Sequence, residues 1–257
     1  MPSDKRARQR AMRELKLAEQ QKRAQRNRTL RRVAGALVVV GVVVGVVVLL
    51  TGKTPKKPVA TKPAVTCPPT TAAGAAKRVT HFTKAPPTCI SATGIYDATF
   101  TTDVGTFVAR MPAASSPAAV NSFVFLARYH FFDGTPFHRV IPGFVVQGGS
   151  PDGSGSGGPG YTFTGNTPPK TCTAKHDCYP VFGLAMANSS GPSTNGSQFF
   201  VILPGGQTQL DAEPNYTLFG TVTSGTAVVE KIGADGSSGG TPKVLHHIVK
   251  VTITKVG

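Results

Sequence analysis

Eighteen consecutive residues, Val33 to Leu50, carry no charge and no polar side chain, and ten of them are valine. As a helix this run would reach ~27 Å, close to the hydrocarbon thickness of a bilayer. Within lipid every backbone N–H and C=O must be paired inside the segment, which makes helix the economical form for a single span. A buried core helix would show a polar face, and this run has none. A cleavable leader would carry a shorter basic region than residues 1–32 and a small-residue cleavage site after Leu50, and neither is found. The run is expected to be a transmembrane signal anchor.

Charge orients it. Residues 1–32 hold twelve basic side chains against three acidic ones, so this short segment carries most of the chain's formal +16. A basic excess beside a span marks the cytoplasmic side, which places residues 51–257 outside the cytoplasm. The same excess argues against nucleic acid as a partner, because orientation explains it and no aromatic residue in 1–32 is available to stack on a base. Gly41 and Gly45 stand four apart in the span. That spacing lets two helices approach closely, so a weak dimer through this face is one expectation.

Residues 51–94 contain seven prolines among Thr, Ala and Lys, a composition that resists helix and central strand and reads as an extended linker. Cys67 and Cys89 suggest that its second half is fastened down. The four cysteines, with Cys172 and Cys178, allow three pairings. An oxidising exterior favours local disulfides and leaves the connectivity open. A zinc site from Cys172, His176 and Cys178 lacks the usual spacing and a fourth ligand, so no metal is expected.

Residues 95–257 read as the folded domain. Tyr96–Thr101 and Thr106–Met111 alternate apolar and polar residues around a Thr-Asp-Val-Gly turn, predicting a hairpin. Ser116 is placed as an N-cap with Pro117 at the first helical position, and Val120, Phe123, Val124 and Ala127 give that helix one apolar face. Strands are expected at 137–141, 144–147, 182–187, 198–203, 218–223 and 249–254, with a second helix at 226–232. Many short strands between Gly/Pro turns predict a mainly β domain, a closed antiparallel barrel of about eight strands capped by two helices.

Two generic patterns carry no chemistry. Gly153 to Gly158 fits G-x-G-x-x-G, but Pro159 and Gly160 follow it instead of a helix N-terminus that would hold a pyrophosphate. Gly236 to Gly240 fits G-x-S-x-G without a buried strand feeding it. His246 and His247 would face opposite ways in a strand and share no ligand.

Three longer blocks are informative: FHRVIPGFVVQGG at 137–149, MANSSGPSTNGSQFF at 186–200, and Leu210 through Tyr216 to Gly220. On these the chain resembles the cyclophilins, peptidyl-prolyl cis/trans isomerases, over roughly Tyr96 to Val256, in the layout of membrane-anchored bacterial members. The resemblance implies a cyclophilin-like barrel and Arg139 as the catalytic arginine. It implies a proline pocket of Phe144, Val145, Phe200 and Leu210, walled by Tyr216. Gln147 would hydrogen-bond near the substrate carbonyl, Gln198 would line the groove, and the Ala187–Asn188 backbone would align the peptide as an added strand. No cofactor is implied. Departures are Val145 where many members have Met, Gln209 where many have Trp, Tyr216 in place of His, an extra residue at Ser190, and Ser150 in place of Asp.

Such residue types suit the chemistry. Rotation about a peptide bond meets a barrier of ~18–20 kcal/mol because the nitrogen lone pair is delocalised. A catalyst of X-Pro rotation needs no nucleophile or general base, only an apolar seat for the ring and a charge that favours the localised lone pair. The expectation is an isomerase acting on proline-containing exported chains at the outer face of the membrane. The alternative is a non-catalytic proline-peptide binding module that scaffolds an envelope complex.

Overall fold

The computed structural model describes residues 65–168, 178–212 and 214–257, which belong to one compact unit, Pro63–Gly257. The basic segment, the Val33–Leu50 run with Gly41 and Gly45, the early linker, and Cys172 lie outside the described residues. Among the described residues no helix is long and apolar enough to cross a membrane.

The chain opens with a hairpin, β1 (Ile95–Thr102) and β2 (Gly105–Pro112), followed by α1 (Pro117–Arg128). Then come β3 (Thr135–Pro136), β4 (Arg139–Ile141) and β5 (Val145–Gly148), and after a long Gly/Pro-rich stretch β6 (Gly183–Met186) and β7 (Phe199–Ile202). The last elements are α2 (Gln207–Ala212), β8 (Leu218–Ser224), α3 (Thr226–Ala234) and β9 (His247–Lys255). These nine described strands form one sheet in the order β3-β9-β1-β2-β8-β6-β7-β5-β4.

That order dictates a curl. Strands lie ~4.8 Å apart, so a flat sheet of this size would hold its edges about 38 Å from one another. Its edges are β3 and β4, joined only by Phe137 and His138, a link that reaches about 11 Å at most. The sheet therefore bends back on itself. It is a curled sheet of nine strands, not a barrel of about eight closed by a continuous ladder. Between the edges the described residues show no β3–β4 pairing, and the 235–246 loop covers the seam instead. Phe137 N–H donates to His246 O (2.9 Å), Val140 N–H to Gly240 O (2.8 Å) and Ser237 N–H to Val140 O (3.1 Å).

Two other expectations need correction. Among the described residues three α-helices are present where two were expected in the folded domain, because α2 is too short to show a period. Ser116 occupies the N-cap position of α1 but its side chain makes no capping hydrogen bond. The hairpin, α1 and the 226–232 helix lie where the pattern put them, with ends shifted by one or two residues.

Alternation fills the core. Tyr96, Ala98 and Phe100 from β1 and Phe107, Ala109 and Met111 from β2 point inward and are buried. Phe123 of α1 meets the rings of Phe100, Phe132, Phe199 and Phe219 at 4.8–5.9 Å. The outer side of α1 is buried as well, since Phe125 is as fully covered as Phe123. Its cover is the segment 65–94. Phe82 packs edge-on against Phe125 at 4.8 Å, and Asn121 of α1 accepts from Cys89 N–H (2.7 Å) and donates to Pro87 O (2.9 Å). Ala75 and Val79 N–H donate to Arg128 and Tyr129 O, and Arg78 donates to His130 and Phe131 O. A Cys67–Cys89 disulfide closes this strap on itself. Cys178 is also disulfide-bonded.

His246 clamps the seam. Its Nδ1 lies 3.0 Å from Asp103 Oδ2 in the hairpin turn and its Nε2 2.9 Å from Asp235 Oδ2 just past α3. Burial disfavours the charged ring, but the hydrogen bonds to Asp235 and Asp103 outweigh it and raise the pKa above the ordinary 6.5. Asp103 is opposed by burial too, yet His246 and the His247 N–H bring it below 3.8. A raised histidine stabilises the fold fully below 6.5 and loses that contribution as pH rises through its folded-state value. A lowered aspartate contributes above 3.8 and fades as pH falls through its own value. The clamp is thus strongest between those limits. Thermal midpoints of the wild type and His246→Gln should differ most between pH 3.8 and 6.5 and draw together as pH rises through the raised folded-state value of His246; a pH-independent gap would contradict the clamp.

Candidate active site

Registers bring the expected side chains into one line. Arg139 of β4 lies opposite Gln147 of β5, Gln147 opposite Phe200 of β7, and Phe200 opposite Ala185 of β6. Because side chains alternate, residues in this row and those two positions away share one face. On β7, Phe199 and Val201 enter the main core while Phe200 and Ile202 turn to the other side. On β5, Val146 goes inward and Val145 outward. The sheet is apolar on both faces here, and its outer face carries a second cluster.

That cluster contains Val145, Phe200 and Leu210, 1%, 4% and 3% exposed, with Phe144, Ala187 and Tyr216 packed around them and partly open to solvent. Tyr216 meets the Phe200 ring edge-on at 5.2 Å. Leu210 reaches the cluster from α2, and Gln209 beside it is exposed. The Arg139 guanidinium carbon stands 5.8 Å from the centroid of the Phe144 ring, at the rim of this apolar floor. The cation therefore borders the cradle instead of turning away from it.

A polar relay fixes the arginine. Arg139 Nη1 donates to Gln147 Oε1 (3.1 Å), and Gln147 Nε2 donates to Gln198 Oε1 (3.1 Å). Gln198 Nε2 in turn donates to the carbonyls of Gly155 (2.8 Å) and Gly157 (3.1 Å). The Gly/Ser run at 153–158 ends this relay with bare carbonyls. Five N–H donors are available on a guanidinium, and the relay occupies one of them. His138, next to Arg139, is held below its ordinary pKa by burial, so no second cation forms there at neutral pH.

The groove beside the relay has a volume of about 950 Å³ and runs from Gln147 and Gln198 past Ala187 and Asn188 to the 155–162 loop. Ala187 N–H is taken by Gln198 O (2.9 Å). The Asn188 side chain staples its own loop, donating to Asn215 O and accepting from Gly191 N–H. Ser190 sits in the exposed turn held by Thr194 Oγ1. All ten expected site residues border the cradle, the relay or the groove. Among the described residues no three His, Cys, Asp or Glu side chains gather closely enough to hold a metal.

Sequence reasoning missed Tyr179. Its hydroxyl donates to Tyr216 O (2.8 Å) and accepts from Tyr216 N–H (2.9 Å), and its own N–H is held by Asp211 Oδ1 (3.1 Å). Burial pushes this phenol up to about 12, so it stays a donor. The residue fixes the aromatic wall from behind, and only its position between Cys178 and Pro180 hinted at an ordered segment.

In sequence and fold the chain is similar to known proteins. Residues 98–256 match the family described as "Cyclophilin type peptidyl-prolyl cis-trans isomerase/CLD". The "Probable peptidyl-prolyl cis-trans isomerase B" of Mycobacterium tuberculosis is 42% identical over 135 residues, 49% of this chain and 42% of that protein. The chain thus spans less than half the length of that relative. "Peptidyl-prolyl cis-trans isomerase B" of Bacillus subtilis is 44% identical over 111 residues, 43% of this chain and 71% of that protein. A crystal structure of a Cryptosporidium parvum cyclophilin type peptidyl-prolyl cis-trans isomerase, determined in the presence of the dipeptide Ala-Pro, superposes with a TM-score of 0.52. It is 30% identical and covers 62% of this chain and 98% of that one. The chain belongs to the cyclophilin-type peptidyl-prolyl cis-trans isomerase family.

Tyr179→Phe removes one hydroxyl and leaves a backbone donor and acceptor of Tyr216 without it. Denaturant unfolding should show a loss of about 1–3 kcal/mol. An unchanged midpoint would mean that Tyr216 is held by other contacts.

Proposed function

We propose that this chain catalyses cis/trans isomerisation of X-Pro peptide bonds, with Arg139 as the catalytic side chain. Val145, Phe200 and Leu210 form the floor of the proline seat, with Phe144 and Tyr216 at its sides. The observation that carries the reading is one juxtaposition: a guanidinium oriented by Gln147 at the rim of an apolar cluster on the outside of the sheet, whose flanking Phe144 and Tyr216 are partly open to solvent.

Its mechanism needs no bond to be made or broken. Apolar contact holds the pyrrolidine ring while the peptide on either side pairs with the Ala187–Asn188 backbone and the Gln147 amide. As the X-Pro bond twists, the nitrogen lone pair localises and becomes a hydrogen-bond acceptor. A remaining Arg139 donor then gains an interaction that the planar ground state lacks, which is differential stabilisation of the transition state. The relay matters because a donor already oriented pays no reorganisation when the bond twists.

Cellular context follows from the other segments. The uncharged Val33–Leu50 run, the basic residues before it and the Cys67–Cys89 disulfide support a domain held outside the cytoplasm by one span, acting on exported proline-containing chains. A dimer through Gly41 and Gly45 would rest on that span alone.

In a tetrapeptide isomerisation assay Arg139→Ala should lower kcat/KM by about 10²–10³, the loss typical of a preorganised electrostatic donor, while peptide binding persists. A wild type that binds the peptide without accelerating its isomerisation would instead identify a binding module that scaffolds an envelope complex. For topology, a reporter active only outside the cytoplasm and fused after Gly257 should be active; a silent fusion alongside an active cytoplasmic one would overturn the orientation.

A further inference from the structure

The strap enters the groove. His81 forms part of the groove wall together with Gly158, Pro159, Gly160 and Thr162, although it lies outside the residues 98–256 that match the family. Its position is imposed by its neighbour. Phe82 is buried among Phe125, Tyr129 and Tyr161, with ring centroids 4.8, 5.3 and 6.4 Å away, and its N–H donates to Pro159 O at 2.8 Å. Gly160, at φ +90°, lies so near Phe82 O and the His81 ring that no side chain fits there. Strap and groove loop are thus in direct backbone contact, and the exposed His81 ring is left at the groove mouth.

The chemistry of that mouth is one-sided. Among the described residues the groove wall contains no acidic side chain, and His81 and Tyr161 are its titratable groups. Tyr161 is occupied in a 2.9 Å hydrogen bond with Ser122, and burial pushes its pKa up to about 12. What remains for a ligand is the His81 ring, backbone amides and the hydroxyls of Ser156, Thr162 and Ser189. Such a surface offers donors, and the Asp152 carboxylate beside Gly157 is already taken up by Ser150 and Ser154.

We propose that His81 is a specificity-determining residue, through which the strap makes the groove favour peptides carrying a carboxylate side chain within a few residues of the proline. The proposal rests on the isomerase reading of the adjoining cradle.

The test uses the full chain and matched X-Pro peptides with Glu, Lys or Ala at each of the three positions on either side of the X-Pro pair. At the favoured position wild-type kcat/KM should be about threefold higher for Glu than for Lys, the scale of an exposed charge or hydrogen-bond contact. His81→Ala should bring that ratio to about one while the Ala peptide changes by less than about twofold, and His81→Asp should invert it. Equal ratios in all three proteins overturn the proposal, as does a fall shared equally by every peptide. If the wild type accelerates no peptide, the isomerase reading fails by itself. Peptide affinities from the same series then decide: a Glu preference lost in His81→Ala supports the strap's role, and identical preferences overturn it.

Discussion

A guanidinium on a three-carbon stem carries about 2 kcal/mol of rotamer freedom, and a catalyst that depends on where that charge points must have it fixed in advance. Here the fixing is done by amides. Arg139, Gln147 and Gln198 form a directional relay that ends on two glycine carbonyls. An acidic partner would orient the arginine more strongly, but it would also neutralise its charge. A carboxamide holds the group and leaves its charge unspent. The relay also ties the β4–β5 pair to a distant stretch, since β4, β5 and the residue before β7 must all be in register for it to close.

Register, in turn, depends on a sheet that is apolar on both faces in one place. Most of β1 and β2 alternates core and solvent, and a one-residue slip there would expose Phe100 and Phe107. At β7 the four residues Phe199 to Ile202 are all buried, two on each side. The outer pair would be a liability if left open. It is instead covered by α2 and Tyr216, with Tyr179 behind. One strand therefore serves two apolar clusters, through opposite faces of it.

Much of this was legible before any coordinates. Period-2 alternation placed the hairpin and the last strand, and the 3.6 period placed α1. The three long blocks supplied Arg139, Phe144, Val145, Gln147, Gln198 and Phe200, and the structure gathers these at one place. What escaped had a physical reason. β3 is two residues long and one is a proline, so no period exists to be seen. The burial of Phe125 on the far side of α1 depends on Phe82, more than forty residues upstream in a stretch whose prolines read as linker. Tyr179 and His81 act through neighbours that no local pattern connects to them. The use of the two Gly-rich runs as relay terminus and seam cover is a tertiary property that their local patterns do not show.

The second of those runs resolves a conflict built into the site. Arg139 lies on an edge strand, and an edge that exposes its N–H and C=O groups invites pairing with another chain. Covering it with an ordinary strand would place side chains against the guanidinium. The 236–240 loop supplies the two missing backbone hydrogen bonds to Val140 with almost no side-chain bulk. Gly236 approaches Val140 O so closely that a Cβ would lie 2.5 Å from it, and Gly240, at φ +88°, passes beside the Arg139 stem. Immediately before this loop, Asp235 is fastened by His246 to the hairpin turn through Asp103. The edge is thus satisfied from one side by a loop too lean to crowd the arginine, and the loop is held in place by a charged clamp at its base. Protection of the strand and exposure of its cation are met together because the cover is backbone.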